Sequence, residues 1–535
     1  MKFLKPLEDL LAPLFGTGWL IVFIQVLLVG VCLTVLLRRH PLRSWAKVRE
    51  NVEAVFVAII LALIIRHFSL EAFEIPTGSM APGLHGIHVD TTCPNCDTVE
   101  SVGVSTDSIT GEVDSNEFRR GRVFEGKCGE CGTHFETDMC DGSQAECPRC
   151  QDFRPAEGEF SQRVHGSFQS WCRECGLQYR EVFSPRDCKT GHKILVNKFI
   201  YKARDPQRWD VIVFKFNRQR NYIKRLIGLP GEAIQVRDGD IYINGEIERK
   251  PWHAQRELWF PVPDSQVNER WTVGSPAWDL RRAKERWAPT ESGGFKFSAG
   301  DGQYSRVTYQ RKIGNRYPYN ANKNPSASWQ RTRVRDLRLL TDVTFDKGPG
   351  EFGLAVTNGD DEFRCWIPVD GGRGTRARVE VNQRGAVTLI SELPEINIAP
   401  GVATELDFYL ADRQLVLRID GSTFAEIPIP EVYAEPRDRQ EARRQRTSVA
   451  AISAGVNGEL RRARVFRDIH YTVGSSNFSY ATTDAFQLEE DEYFAMGDNS
   501  PSSLDSRAWG RLHGQNLLGR AFGVFWPLGE IGFIR

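Results

Sequence analysis

The sequence has no excess charge of either sign: 69 lysines and arginines stand against 69 aspartates and glutamates in 535 residues. No global basic field therefore draws the chain to nucleic acid. Cysteine is scarce, at 12 residues, far below the density of a disulfide scaffold. Long apolar runs are missing outside the first 70 residues, and a mean hydropathy of −0.38 excludes a polytopic transporter. There is no H-E-x-x-H, so a metalloprotease has no support. What is present is 41% hydrophobic and 26% charged residues, the composition of folded globular protein. At about 150 residues per domain the length predicts three or four domains.

The start of the chain predicts a membrane anchor. Gly18 to Leu37 reads GWLIVFIQVLLVGVCLTVLL, twenty residues without a charge, enough to cross ~30 Å of hydrocarbon. A cleaved signal peptide is not expected, because Lys2 and Lys5 are balanced by Glu8 and Asp9 and the run ends in Arg38-Arg39. A weaker span covers 52–65, although fourteen such residues could also form a buried core helix. The loop at 38–50 carries Arg38, Arg39, Arg43, Lys47 and Arg49 against Glu50, which places it in the cytoplasm. Two crossings then put everything after residue 70 outside the cytoplasm. The expectation is a multi-pass membrane protein in contact with the lipid bilayer, its larger part on the extracytoplasmic side, with no nucleic-acid partner.

Beyond the anchor the chain reads as mainly β. Short β-branched and aromatic runs at 71–86, 191–250 and 476–535, such as ILVNKFIY, DVIVFKF and NYIKRLIG, predict one antiparallel core. Two inserts separate them, at 87–190 and 251–475. The second holds many alternating runs between about 328 and 471, which predict a β-sandwich. Its run ELDFYLADRQLVLRIDG resembles the strand-turn-strand of concanavalin/laminin-G-like jelly rolls, implying an interaction role with a protein or carbohydrate ligand.

Ten of the twelve cysteines fall between Cys93 and Cys188. Cys93/Cys96, Cys128/Cys131, Cys147/Cys150 and Cys172/Cys175 are C-x-x-C pairs, which let two thiolates on one turn reach a single zinc ion. The repeated order, CPxC then CxECG, predicts two zinc ribbons side by side, the first joining 93/96 to 128/131 and the second joining 147/150 to 172/175. Pairing 128/131 with 147/150 also satisfies the spacing, and disulfides are the alternative to metal.

Ser79 follows a glycine at a strand end, but no G-x-S-x-G elbow surrounds it and no histidine partner is evident. A lysine can replace histidine as base when burial keeps it neutral. In NYIKRLIGLPG, period-2 alternation puts Tyr222, Lys224 and Leu226 on one strand face and Ile223 and Arg225 on the other. Lys224 between apolar neighbours is the candidate.

Four blocks then occur in order: FEIPTGSMAPGL, ILVNKFIY, WDVIVFKF with YIKRLIGLPGE, and GDNSPSSLDSRAWG. Together they resemble the bacterial type I signal peptidase (leader peptidase) family of Ser–Lys dyad serine proteases. The resemblance implies a signal-peptidase-like core with Ser79 as nucleophile and Lys224 as general base. It further implies an oxyanion hole from Thr77 and the Ser79 N–H, with Ser503 orienting the lysine. Asp498, Asp505, Arg507 and Arg225 would form the supporting ion pairs, and Ile75, Pro76, Met80 and Tyr222 would line the substrate groove. The implied activity is removal of signal peptides from exported preproteins, with small residues before the cut and no cofactor for catalysis. Gly83, His192 and Ser500 depart from the family pattern without touching the dyad. The rival expectation is a non-proteolytic membrane adaptor that binds partners through its inserts. Phe525 and Trp526 are expected in the core.

Overall fold

Runs in which every second residue is apolar, broken by Gly, Pro and Asp turns, pair into antiparallel sheets throughout the computed structural model. It describes residues 70–534 apart from short internal stretches, the longest being 263–276, 321–331 and 434–446, and a few positions between 51 and 58. The expected span at 18–37, its basic loop and most of 52–65 lie outside the described residues. Among the described residues no helix is long and apolar enough to cross a membrane.

The central sheet draws on all three core segments. Its strands are β1 (Leu70–Glu74), β2 (Lys193–Asn197), β3 (Val211–Asn217), β4 (Arg220–Gly228), β5 (Glu492–Met496) and β6 (Leu517–Trp526). They lie in the order β1-β2-β6-β3-β4-β5, closed by Leu512–His513, so β1 is an edge strand. All these pairings are antiparallel. Both faces are covered, which is why β3 and β4 read as nearly continuous apolar runs. Ile194, Val211, Val213 and Ile223 pack on one side with Ile75 and Met80. Ile212, Phe214 and Leu226 pack on the other with Tyr493 and Ala495. A smaller sheet beside it contains the hairpin of Ala233–Arg237 with Asp240–Ile243. Its two-residue turn, Asp238-Gly239, has positive φ at both positions, the geometry that Asp-Gly favours.

The second insert is a two-sheet β-sandwich around one large apolar core. It begins earlier than the predicted 328–471. Trp278–Asp279 and Tyr304–Tyr309 pair into one sheet, and Trp287–Pro289 and Phe295–Phe297 into the other. These strands are short and anchored by single large rings such as Trp287 and Phe295, both buried, so they lack a readable alternation.

The cysteine insert leaves and rejoins the core through one point, where His88 and Lys189 exchange backbone hydrogen bonds of 3.2 and 2.8 Å. Its backbone is the 19-residue strand Phe153–Trp171, ~60 Å long at ~3.3 Å per residue. That strand pairs with Arg119–Cys128 along one part and with Gln178–Phe183 along another. The expected joining of 147/150 to 172 therefore does not occur: Cys150 and Cys172 lie beyond opposite ends of the strand. The pairing is nested instead. Cys128, Cys131, Cys147 and Cys150 converge at one end, and Cys93, Cys96 and Cys172 at the other. Cys175 lies outside the described residues.

The sandwich meets the core through a buried lysine. Lys250 Nζ is ion-paired to Asp412 and, at 2.9 Å, to Asp468, all three fully enclosed. Burial pushes Asp240 up to about 7 and Asp468 up to about 6, while the neighbouring lysine pulls both down. Lys250→Met would leave these carboxylates buried without their cation. Denaturant unfolding at neutral pH should then show a loss of about 3–5 kcal/mol. Part of that loss should return as the pH is lowered, because Asp468, no longer held down by the lysine, takes up a proton more readily; an unchanged midpoint would show that the lysine is dispensable.

Candidate active site

The segment of the expected nucleophile, Ser79, is a single 3-10 turn, Gly78–Met80, entered from Pro76 and Thr77. It sits at the open end of the edge strand β1. Met80 is fully buried, and it pins the turn to the core. Across from it, β4 carries Lys224 on the face predicted by alternation, opposite Ile212 of β3. Lys224 Nζ lies 2.6 Å from Ser79 Oγ and donates to the Ile223 carbonyl at 2.9 Å. Both dyad side chains are buried. Burial is the largest influence on the lysine and lowers its pKa to about 8; Asp505 and Asp498 oppose it, and Arg507 assists it. In the neutral form the Nζ lone pair faces the serine, so the hydroxyl donates to the amine.

Each opposing carboxylate is itself paired with an arginine. Arg225 forks onto Asp498 with Nε–Oδ1 2.9 Å and Nη2–Oδ2 2.7 Å. Arg507 forks onto Asp505 at 2.9 and 2.6 Å, and both residues are wholly enclosed. Asp505 also accepts from the Gly497 N–H at 3.0 Å. Ser500, a departure from the family pattern, accepts from Arg507 Nη1 at 2.7 Å and so extends this network.

Of the expected groove residues, Pro76, Thr77 and Tyr222 line a cleft of about 570 Å³ together with Ser79 and Lys224. Ile75 and Met80 do not. Both side chains turn into the core beneath the sheet, Ile75 because alternation from β1 continues through it. Ser503 is buried, but it makes no bond to Lys224, and its Oγ has no hydrogen-bond partner. The lysine spends its contacts on Ser79 and Ile223 instead. Trp526 is exposed and Phe525 half-buried, at the end of β6, contrary to the expected core packing.

Several cleft residues carried no sequence signal. Gly103–Thr106 of the cysteine insert and Tyr319 and Asn320 of the second insert line the same cleft. Asn499, inside the fourth block, donates its backbone N–H to Ser79 O at 3.0 Å and its Nδ2 to Gly78 O at 2.8 Å.

Two further clusters bear on metals. In the inner cysteine cluster the Cys128–Cys150 and Cys131–Cys147 sulfur separations are 3.7 and 3.6 Å. A tetrahedron with ~2.3 Å zinc–sulfur bonds has edges of ~3.8 Å, whereas a disulfide would need ~2.05 Å. Four thiolates therefore fit a structural ion. His85, His192 and Glu530 also approach one another. However, His192 Nδ1 accepts from the His85 backbone N–H at 3.4 Å, and its Nε2 faces Glu530 at 2.7 Å. Burial is the largest influence on His192 and disfavours its charged form.

The nested geometry predicts which cysteines share a metal ion. Cys128→Ser and Cys150→Ser should each remove the same equivalent of bound zinc, measured on purified protein, and Cys172→Ser a different one; loss of one shared equivalent by Cys150→Ser and Cys172→Ser would contradict it. The lysine gives a second expectation. For a lysine base the neutral amine is the competent form, so any Ser79-dependent rate should rise with pH through about 8 and level off above it. A rate that falls over that interval would exclude Lys224 as base.

Residues 184–270 and 414–526 match the family model described as Signal peptidase, peptidase S26. These residues include Lys224, Asp498, Ser503, Asp505 and Arg507, while Ser79 lies outside them. The chain is 40% identical over 62 residues to signal peptidase I V of Bacillus subtilis (strain 168), covering 12% of this chain and 37% of that protein. It is 38% identical over 64 residues to signal peptidase I of Bacillus caldolyticus, covering 12% and 35% respectively. The chain thus spans about a third of the length of the curated relatives it matches. Among solved structures, the Bacillus subtilis carbohydrate-binding module CBM66 aligns with 36% of this chain and 93% of its own at 12% identity, with a TM-score of 0.22. That likeness is too slight to bear on function.

Proposed function

We propose that this chain, which belongs to the type I signal peptidase family, is a membrane-anchored serine endopeptidase that removes signal peptides from exported preproteins through a Ser79–Lys224 dyad. The observation that carries the reading is the 2.6 Å contact between a buried lysine and a serine at the floor of a cleft.

The chemistry follows from that contact. Neutral Lys224 takes the Ser79 proton as Oγ attacks the scissile carbonyl, and the resulting ammonium is tolerated because Asp505 and Asp498 are close. The oxyanion is met by the Ser79 N–H, with the Thr77 hydroxyl alongside; such donors are worth ~3 kcal/mol each. The ammonium then protonates the leaving amine, which breaks the C–N bond and leaves an ester on Ser79. Lys224, neutral again, deprotonates a water that hydrolyses the ester and restores the serine.

The substrate is an extended peptide beside the open edge of β1, where Phe73, Glu74 and Pro76 line the cleft. Small side chains before the cut suit the walls near Ser79. Trp526, Leu528, Ile531 and Phe533 form an exposed apolar group at the end of the chain, consistent with a site held against lipid on the extracytoplasmic side of the inner membrane. Zinc in the cysteine clusters would serve structure alone. The adaptor alternative expects a dyad that has decayed, and here both members are present and in contact.

The full chain expressed with a preprotein carrying an A-x-A cleavage site should release the mature product. Ser79→Ala should abolish cleavage, and Lys224→Ala should slow it about 10²–10⁴-fold. Undiminished cleavage by Lys224→Ala would end the dyad assignment.

A further inference from the structure

The oxyanion donor of Ser79 belongs to the same peptide unit as the carbonyl of Gly78. A peptide is planar and its N–H and C=O point in opposite directions. Whatever grips the Gly78 carbonyl therefore sets where the Ser79 N–H points. That carbonyl accepts from Asn499 Nδ2 at 2.8 Å, and from the Ala81 N–H at 3.1 Å.

An asparagine amide can present either its NH₂ or its oxygen, and only the NH₂ can hold a carbonyl. The orientation of Asn499 is enforced from the second insert. Asn320 Nδ2 donates to Asn499 Oδ1 at 2.7 Å, and Asn499 Nδ2 donates to Asn320 Oδ1 at 2.9 Å. Both amides are about 1% exposed, so water cannot substitute for either bond. If the Asn499 amide turned over, oxygen would face the Gly78 carbonyl and the reciprocal pair would be lost. The neighbouring Tyr319 holds the same turn sterically. A Cβ placed on Gly78 or on Gly103 would come within 2.1 Å of its ring, so the ring packs between the nucleophile turn and the cysteine insert. Its hydroxyl donates to the Ile87 carbonyl at 3.2 Å.

We propose that Asn320 is a positioning residue for the peptidase reaction: through Asn499 and the Gly78 carbonyl it aims the Ser79 N–H at the developing oxyanion. The 251–475 insert is accordingly part of the catalytic apparatus rather than an appendage to it. This inference rests on the peptidase reading for its kinetic consequence, but its structural content stands apart.

The test compares the full chain with Asn320→Ala, Asn499→Ala and the double variant. Asn320→Ala should lower kcat about 10- to 100-fold, less than the cost of removing an oxyanion donor outright, with KM within about twofold. Because Asn320 acts through Asn499, adding Asn320→Ala to Asn499→Ala should cost little more. Additive losses, or a change confined to KM, would overturn the proposal. Hydrogen exchange gives a readout free of activity: residues 77–84 should exchange faster in Asn320→Ala while the sandwich strand Leu337–Phe345 is unchanged. Unchanged exchange at 77–84 would overturn the proposal even in an active enzyme. A wild-type chain that cleaves no preprotein would sink the peptidase reading, and the exchange result would then decide the positioning role alone.

Discussion

A primary amine that must be both buried and uncharged sets the terms for the rest of the core. Taking an ammonium out of water is costly, and that cost lowers the pKa of Lys224. A single unpaired carboxylate nearby would undo the effect, since opposite charges a few ångströms apart interact by ~4 kcal/mol even at an effective dielectric constant near 20. The protein places two carboxylates there and pairs each with an arginine, which weakens their pull on the lysine. Arg225 takes Asp498 and Arg507 takes Asp505, each through two hydrogen bonds. The acids are thereby left to organise backbone, as Asp505 does at Gly497 and at the start of the helix Ser506–Trp509. Buried ion pairs of this kind contribute little net stability. Their value here is that they hold the fourth block rigid while burial still prevails over the carboxylates at the lysine.

Two large inserts are accommodated because each enters and leaves through a narrow neck. The cysteine insert does so at the His88–Lys189 bridge, and the sandwich around Lys250 and Asp468. Neither interrupts the hydrogen bonding of the central sheet. Both nevertheless return to the cleft, the first with Gly103–Thr106 and the second with Tyr319 and Asn320. The cleft thus has walls from three modules.

What could be read in the sequence was whatever depends on local periodicity. Alternation put Lys224 and Leu226 on one face of β4 and Arg225 on the other, and in the fold those faces meet Ser79 and Asp498 respectively. Contacts fixed by long-range topology could not be read. Spacing allowed two arrangements of the cysteine pairs, and the length of the strand Phe153–Trp171 decides between them. Ile75 and Met80 flank cleft residues in sequence, but Ile75 continues the alternation of the extended chain into the core and Met80 leaves the 3-10 turn towards it. Ser503 was expected at the lysine by resemblance, yet the hydrogen bonds of Lys224 go to Ser79 and to the Ile223 carbonyl. Asn320 lies 241 positions from Ser79, within a stretch rich in aromatic and basic residues, where a lone asparagine carries no mark of its partner.

The nucleophile turn itself explains why so much is recruited to it. A three-residue 3-10 turn has a single internal hydrogen bond, from the Ala81 N–H to the Gly78 carbonyl, and no side-chain cap at Thr77. Such a turn has little rigidity of its own, and oxyanion stabilisation requires donors that are already aimed before charge develops. Rigidity must therefore come from outside the segment. Met80 supplies it from the core, Asn499 from the fourth block, and Tyr319 and Asn320 from the sandwich insert. Since these groups come together only when all the modules have docked, the serine lies in a competent frame only in the fully assembled protein.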